Sequence, residues 1–152
     1  MVLSADIGSK LAVKFGEIQT YKMGVDIIYR GAICCVRQTD GYLYPAVDDT
    51  SDTNKQVFAG VAQEGIDNSA GSVGDKSCRV RQEGRWKFKM AGAAQADVGK
   101  LACVKDDETI QLWVSGQTTV IVGRITEIET AGSTVFVDVT DRPQRLATSA
   151  ND

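Results

Sequence analysis

The sequence contains no histidine, only two prolines and no long apolar run. Without histidine it lacks the commonest general base and metal ligand, and with them every Ser-His or Cys-His nucleophile pair. The scarcity of proline argues against a Pro-rich or collagen-like chain. No stretch reaches the roughly 18 apolar residues from which a membrane-spanning helix is built. We therefore expect no enzymatic activity, no cofactor and no membrane partner.

The formal net charge is −3, so the chain as a whole is not basic. Domains that bind nucleic acid commonly carry a basic surface, and this total leaves room only for a local one. Residues 1–6 lack the basic segment and apolar core of a secretory signal. We therefore expect the protein to be made and to remain in the cytoplasm.

The four cysteines do not follow the pattern of a disulfide framework. Cys34 and Cys35 are adjacent and would point to opposite faces of a strand, while Cys78 and Cys103 lie far away in the sequence. A C-x-x-C zinc spacing is missing as well. The pattern favours four small buried apolar side chains in a reducing compartment. The alternative is an enzyme that uses Cys34 or Cys35 as its nucleophile.

Segments of alternating apolar and polar residues recur along the chain, and helical periodicity is hard to find. The clearest run, residues 78–90, predicts a β-hairpin that turns at residues 82–84. Its predicted inward-facing side chains are Cys78, Val80, Trp86, Phe88 and Met90. Further strands are predicted at residues 32–37, 42–46, 57–63, 101–105, 109–114, 119–128 and 133–140.

Short strands without interposed helices predict an all-β fold, either a compact antiparallel β-barrel or a β-tulip or sandwich. We divide the chain into an extended N-terminal arm or edge strand (residues 1–20), a body (residues 21–140) and a polar C-terminal tail (residues 141–152). In the arm, the run from Leu11 through Val13 to Phe15 indicates either a strand or a segment docked on a neighbour.

Three polar segments resemble ligand sites only superficially. Residues 71–77 lack the glycine spacing of a phosphate-binding loop, and Asp75 would repel a phosphate. Residues 48–54 lack the glycine and glutamate of a calcium-binding EF-hand loop. Residues 106–108 place three carboxylates in one turn, which cannot hold two of them across a substrate. We predict polar loops at all three places and no metal site.

One face of the predicted hairpin is strongly basic. Its residues are Arg79, Arg81, Arg85, Lys87 and Lys89. Like charges on neighbouring strands repel each other, so an acidic partner facing them would be favourable. This face is therefore a candidate contact surface for an acidic protein or a nucleic-acid backbone. The alternative is a solvated face balanced by nearby acids such as Glu83.

Several segments follow one another in an order known from a family of structural proteins. They include a glycine-valine-alanine step, a strand ending in Glu83-Gly84 with a basic-aromatic partner, and a glycine followed by an apolar strand and an acidic turn. In chain order they are residues 31–33, 58–62, 83–84, 98–104, 122–125 and 135–139. From about residue 24 onward the chain thus resembles the small capsid decoration, or cement, proteins of tailed phages.

The resemblance implies a β-barrel or tulip-like body without catalysis, which self-associates as a homotrimer and binds the major capsid protein. Such proteins sit on the outer surface of the virion and stabilise the head against the pressure of packaged DNA. Their N-terminal arm often reaches onto capsid subunits, so Leu11, Val13 and Phe15 become candidate capsid contacts. The alternative function is an intracellular β-barrel that binds nucleic acid through the basic face. Because Trp86 and Phe88 point inward, that face lacks a stacking platform, and we expect no direct binding of nucleic acid.

Overall fold

The structure is a computed structural model that describes residues 18–48, 55–115 and 120–140. Over these ranges the chain forms β-strands and one short 3₁₀ helix, Gln95–Asp97. The strands are β1 (Ile18–Lys22), β2 (Ile27–Ile28), β3 (Ile33–Arg37), β4 (Leu43–Pro45), β5 (Gln56–Ala62), β6 (Ile66–Asp67), β7 (Ser77–Arg81), β8 (Arg85–Lys89), β9 (Leu101–Val104), β10 (Ile110–Leu112), β11 (Ile121–Thr130) and β12 (Thr134–Asp138). No helix in these ranges has the length and apolarity to span a membrane.

The strands form three sheets, and all of their strand pairs are antiparallel. The first sheet has the order β1-β7-β5-β3-β4, the second has the order β10-β9-β11-β12-β8, and β2 pairs with β6. In the first sheet, a single isolated bridge between Met23 and Leu43 connects the two edges. In the second sheet, a bridge between Lys89 and Thr109 does the same. The all-β prediction is confirmed. The described strands form a sandwich-like arrangement and not a closed barrel.

The larger hydrophobic core lies between the first and second sheets. The first sheet contributes Ile33, Cys35, Phe58 and Val61, and Ala46, directly after β4, joins them. The second sheet contributes most of the rest, including Phe88, Val104, Ile125, Val135 and Val137. Burial of these apolar faces against each other is what holds the two sheets together.

A smaller core lies on the opposite face of the first sheet. It contains Met23, Ile28, Ala32, Cys34, Leu43, Ala59, Ala62, Cys78 and Val80. Successive residues of a strand point to opposite faces, so β3 places Cys34 in this core and Cys35 in the larger one. Both faces of β3 and β5 are therefore buried, which explains their nearly continuous apolar sequences.

The predicted strands all coincide with observed strands to within a few residues. The prediction of a hairpin at residues 78–90 is wrong, because β7 pairs with β1 and β5 whereas β8 pairs with β12. Residues 82–84 cross from the first sheet to the second. The physical reason is that Cys78 and Val80 fill the smaller core, whereas Phe88 and Met90 fill the larger one. The predicted burial of these four side chains is confirmed, and Trp86 is partly buried.

The N-terminal arm and the C-terminal tail fall mostly outside the described residues. The last three residues of the predicted arm, 18–20, belong to β1, which is an edge strand of the first sheet. Leu11, Val13 and Phe15 precede the described residues, and residues 141–152 follow them. The division into arm, body and tail stays a prediction.

Candidate partner-contact surface

The five basic residues singled out in the sequence do not share one surface strip. Arg79 and Arg81 lie on β7 in the first sheet, and Arg85, Lys87 and Lys89 lie on β8 in the second. Alternation along each strand still points them away from the buried apolar residues, as the sequence predicted. The structure therefore has two shorter basic strips, one on β7 and one on β8. The sequence had predicted a single basic face on one hairpin.

The basic strip of the first sheet is paired with a glutamate. The Arg79 guanidinium donates hydrogen bonds to both carboxylate oxygens of Glu64, with an Nη2 to Oε2 distance of 3.2 Å, and the Arg79 backbone N–H donates to Oε1 as well. These hydrogen bonds hold the pKa of Glu64 below its usual range and raise the pKa of Arg79. Arg81, two residues along, is partly buried.

The strip on β8 is paired with glutamates in the same way. Arg85 Nη2 lies 2.8 Å from Glu127 Oε2, and Lys87 Nζ lies 3.7 Å from Glu129 Oε1. Lys89 forms an ion pair with Glu108. Glu127 and Glu129 belong to β11, which lies two strands away from β8 across β12. The Arg85 guanidinium also sits over the ring of Phe136 on that intervening strand, 5.3 Å from its centroid.

These ion pairs balance most of the positive charge of the basic residues within the same chain. Four of the five basic side chains face a carboxylate of the same chain, so the described surface alternates in sign. A nucleic-acid backbone would have to displace those carboxylates, which reduces the gain from each phosphate contact. Between the two interpretations of the sequence, the geometry favours a solvated, balanced face. A role in binding a partner stays a prediction.

The four thiols are all reduced and buried, as the sequence predicted. Burial raises the pKa of the Cys35 thiol to about 12 and that of Cys78 to about 11. Burial, reinforced by the nearby Cys78, also raises the pKa of Cys34 far above its ordinary value. A nucleophilic cysteine needs an accessible thiolate, and these surroundings suppress it.

The polar loop at residues 67–76 is held by its own side chains. Asn68, which is 1% exposed, donates from Nδ2 to the carbonyl oxygens of Gly24 and Ser72. Asp75 Oδ2 accepts the backbone N–H of Ser72 at 2.8 Å. The prediction of a polar inter-strand loop here is confirmed. Residues 49–54 of the other acidic segment lie outside the described residues, and no cluster of three metal-binding side chains occurs in the described ones.

A shallow cleft, which the sequence did not suggest, lies where the turn before β3 meets the turn before β10. Its volume is about 460 Å³, and it is lined by Tyr29, Arg30, Gly31, Ala32, Asp107 and Glu108. Tyr29 is 66% exposed, more than any other large apolar side chain of the described residues. Burial raises the pKa of Asp107, and the neighbouring Asp106 and Glu108 raise it further. No sequence signal marked this place because the two turns are more than seventy residues apart.

No protein-family model matches the chain, and no curated protein matches it. Among solved structures, the chain is similar to the N base of head fiber gp8.5 in bacteriophage phi29. The two sequences are 15% identical, the match covers 84% of this chain and 99% of that one, and the TM-score is 0.49. No residue role is transferred from that protein.

Proposed function

We propose that this protein is a structural capsid decoration protein without enzymatic activity. It binds the outer surface of an icosahedral phage head and stabilises the head against the pressure of packaged DNA. The observation that carries the proposal is the position of the segments that resemble the family. Residues 58–62 lie in β5, residues 101–104 form β9, residues 122–125 lie in β11 and residues 135–138 lie in β12.

The partners in this proposal are the major capsid protein and further copies of the chain, as a homotrimer. A clamp of this kind works by burying surface on several capsid subunits at once, so that many modest contacts add up. The core shared by the two sheets supports such a role, because close-packed protein interiors have low compressibility. The suppressed thiolates and the internally paired cations also fit a protein that performs no chemistry.

Co-sedimentation with capsid shells of the same genome tests the proposal. The molar mass of the purified protein is first measured by light scattering, and the protein is then mixed with shells before and after expansion. We expect a trimer that pellets with expanded shells and raises the temperature at which filled heads release DNA. Failure to pellet with either kind of shell would overturn the proposal, and so would DNA binding with a steep salt dependence.

Thiol alkylation tests the absence of cysteine chemistry separately. Iodoacetamide is expected to label Cys34, Cys35, Cys78 and Cys103 slowly in the native protein, because all four are buried. The same reagent should label all of them rapidly in denaturant. Rapid labelling of one thiol in the native state would point to an enzyme instead.

A further inference from the structure

The cleft between the turn before β3 and the turn before β10 has one wall that is fixed by backbone hydrogen bonds. The Ala32 backbone N–H donates to the carbonyl of Tyr29, and Gly31 between them has a φ of +89°, as in a type II turn. The Ile33 backbone N–H donates to the carbonyl of Asp107 at 2.7 Å and so ties this turn to the opposite wall. A ligand would meet a wall that is already in place, which reduces the entropy lost on binding.

The opposite wall, the turn at residues 106–109, is held by its own hydrogen bonds. Asp106 Oδ1 accepts the backbone N–H groups of Glu108, at 2.9 Å, and of Thr109, at 2.6 Å. The Lys105 backbone N–H donates to the carbonyl of Thr109 at 3.0 Å. These bonds hold the turn in place, with Asp107 and Glu108 as the two carboxylates that line the cleft.

The negative charge of Asp107 is not balanced by any cation of the described residues. Burial raises the pKa of this partly buried carboxyl, and three neighbouring carboxylates raise it further. Glu108 is bound by Lys89, so that cation is already in use. Arg30 also lines the cleft, but it is exposed and forms no ion pair with either carboxylate in the described structure. A cationic group placed beside Asp107 would therefore be attracted.

Tyr29 adds an aromatic surface to the same cleft. It is exposed, although Ile28 before it and Ala32 after the turn are buried. A planar guanidinium can stack on such a ring while it donates two parallel hydrogen bonds to a carboxylate. The cleft is shallow and open, so it cannot enclose a free small molecule as ligand pockets do.

We propose that this cleft receives an arginine side chain of a protein partner, with the guanidinium bound to Asp107 and stacked on Tyr29. Its carboxylates and its aromatic ring are complementary to that group in charge and in shape. A nucleic-acid backbone would be repelled by the same carboxylates. The inference does not depend on the proposed capsid role, because it concerns the chemistry of the contact, whichever protein supplies the arginine.

A short peptide tests the proposal on the full chain. The probe is acetyl-Gly-Arg-Gly-amide, and amide NMR spectra follow its binding. We expect saturable shifts at residues 29–31 and 107–108, with a dissociation constant on the order of millimolar for this single contact. Asp107→Asn, which keeps the shape of the side chain, should weaken binding about tenfold. Tyr29→Leu should weaken it about threefold.

Two matched variants show whether the charge in the cleft is the cause. Glu83→Gln removes an exposed carboxylate elsewhere on the chain and should leave the affinity unchanged. Arg30→Gln removes a like charge from the cleft itself and should leave the affinity unchanged or raise it. An equal loss of affinity in Glu83→Gln and Asp107→Asn would overturn the proposal.

The same peptide with citrulline in place of arginine is the control on the unmodified protein, so it remains decisive if a variant fails to fold. Citrulline keeps the planar shape and lacks the charge, and we expect it to cause no saturable shift. Equal binding of the two peptides, or binding of neither, would overturn the proposal. If calcium chloride shifted the same signals and the arginine peptide did not, the cleft would be a metal-ion site and the proposal would be wrong.

Discussion

Gly123 shows how closely two backbones approach in the second sheet. A Cβ atom at this position would lie 2.2 Å from the backbone carbonyl oxygen of Asp138 on β12, and a backbone atom cannot rotate out of the way. We expect Gly123→Ala to lower the free energy of unfolding by about 3 kcal/mol, because the strands must separate locally. Urea denaturation measures the loss. The control is Gly65→Ala, where the nearest atom is 3.7 Å away, and a loss as large there would contradict the steric explanation.

Asp107 gives the molecule a pH-dependent weakness at the cleft. Burial and the neighbouring carboxylates raise its pKa in the folded state, so the folded protein binds this proton more tightly than the unfolded chain does. The stabilisation that comes from this tighter proton binding is therefore present at low pH and is lost as the pH rises through the raised pKa of Asp107. We expect Asp107→Asn to be more stable than the parent at neutral pH. The difference should vanish below the usual aspartate range in thermal unfolding scans, and a constant difference at every pH would refute this account.

At the scale of elements, β3 is the strand on which both cores depend. Ile33 is fully buried in the larger core, whereas its neighbour Cys34 is fully buried in the smaller one. We expect Ile33→Ala to lower the free energy of unfolding by about 3 kcal/mol. The substitution leaves a cavity between the two sheets, and neither sheet can move in to fill it. Ile18→Ala on the exposed edge strand should cost less than about 1 kcal/mol. Chemical denaturation of the two variants measures both, and similar losses would contradict a central role for β3.

The positions of nine of the twelve strands in the described residues were predictable because they depend on local alternation, whereas β1, β2 and β6 were not predicted as individual strands. Cys78, Val80 and Phe88 were placed inside correctly on this basis alone. The pairing of β7 with β8 was predicted wrongly, because a short polar segment such as residues 82–84 is equally suited to a turn within a sheet and to a crossing between sheets. Which of these occurs is decided by contacts with β1, β5 and β12, strands distant in the sequence.

The surface chemistry was predictable only in part, for the same reason. Alternation indicated that Lys87 and Lys89 point outward, but their carboxylate partners belong to other elements. Lys87 meets Glu129 from β11, and Lys89 meets Glu108 from the turn before β10. A sequence pattern contains no information on such pairs until the strand order is known. The sequence named Glu83 as the balancing acid, whereas the structure supplies Glu64, Glu127, Glu129 and Glu108.

For the whole molecule, the shared core predicts that the two sheets lose their structure together. Their inner faces meet in one continuous cluster, so separating them would expose apolar surface from both. The smaller core lies on the other side of the first sheet, where the described residues add only the two-stranded sheet of β2 and β6. It can persist only while β3 and β5 remain in place, since these strands contribute to both cores.

Unfolding of the two sheets should therefore be a single transition. Trp86 and Trp113 report on the second sheet by fluorescence, and brief alkylation of the peptide that carries Cys34 and Cys35 reports on the first. We expect both probes to give the same urea midpoint. Cys103 is the internal control. It lies on β9 of the second sheet, so its labelling should have the same urea midpoint as the tryptophan fluorescence. Labelling of Cys34 and Cys35 at a lower urea concentration than Cys103 would show that the first sheet opens alone and that the shared core does not couple the sheets.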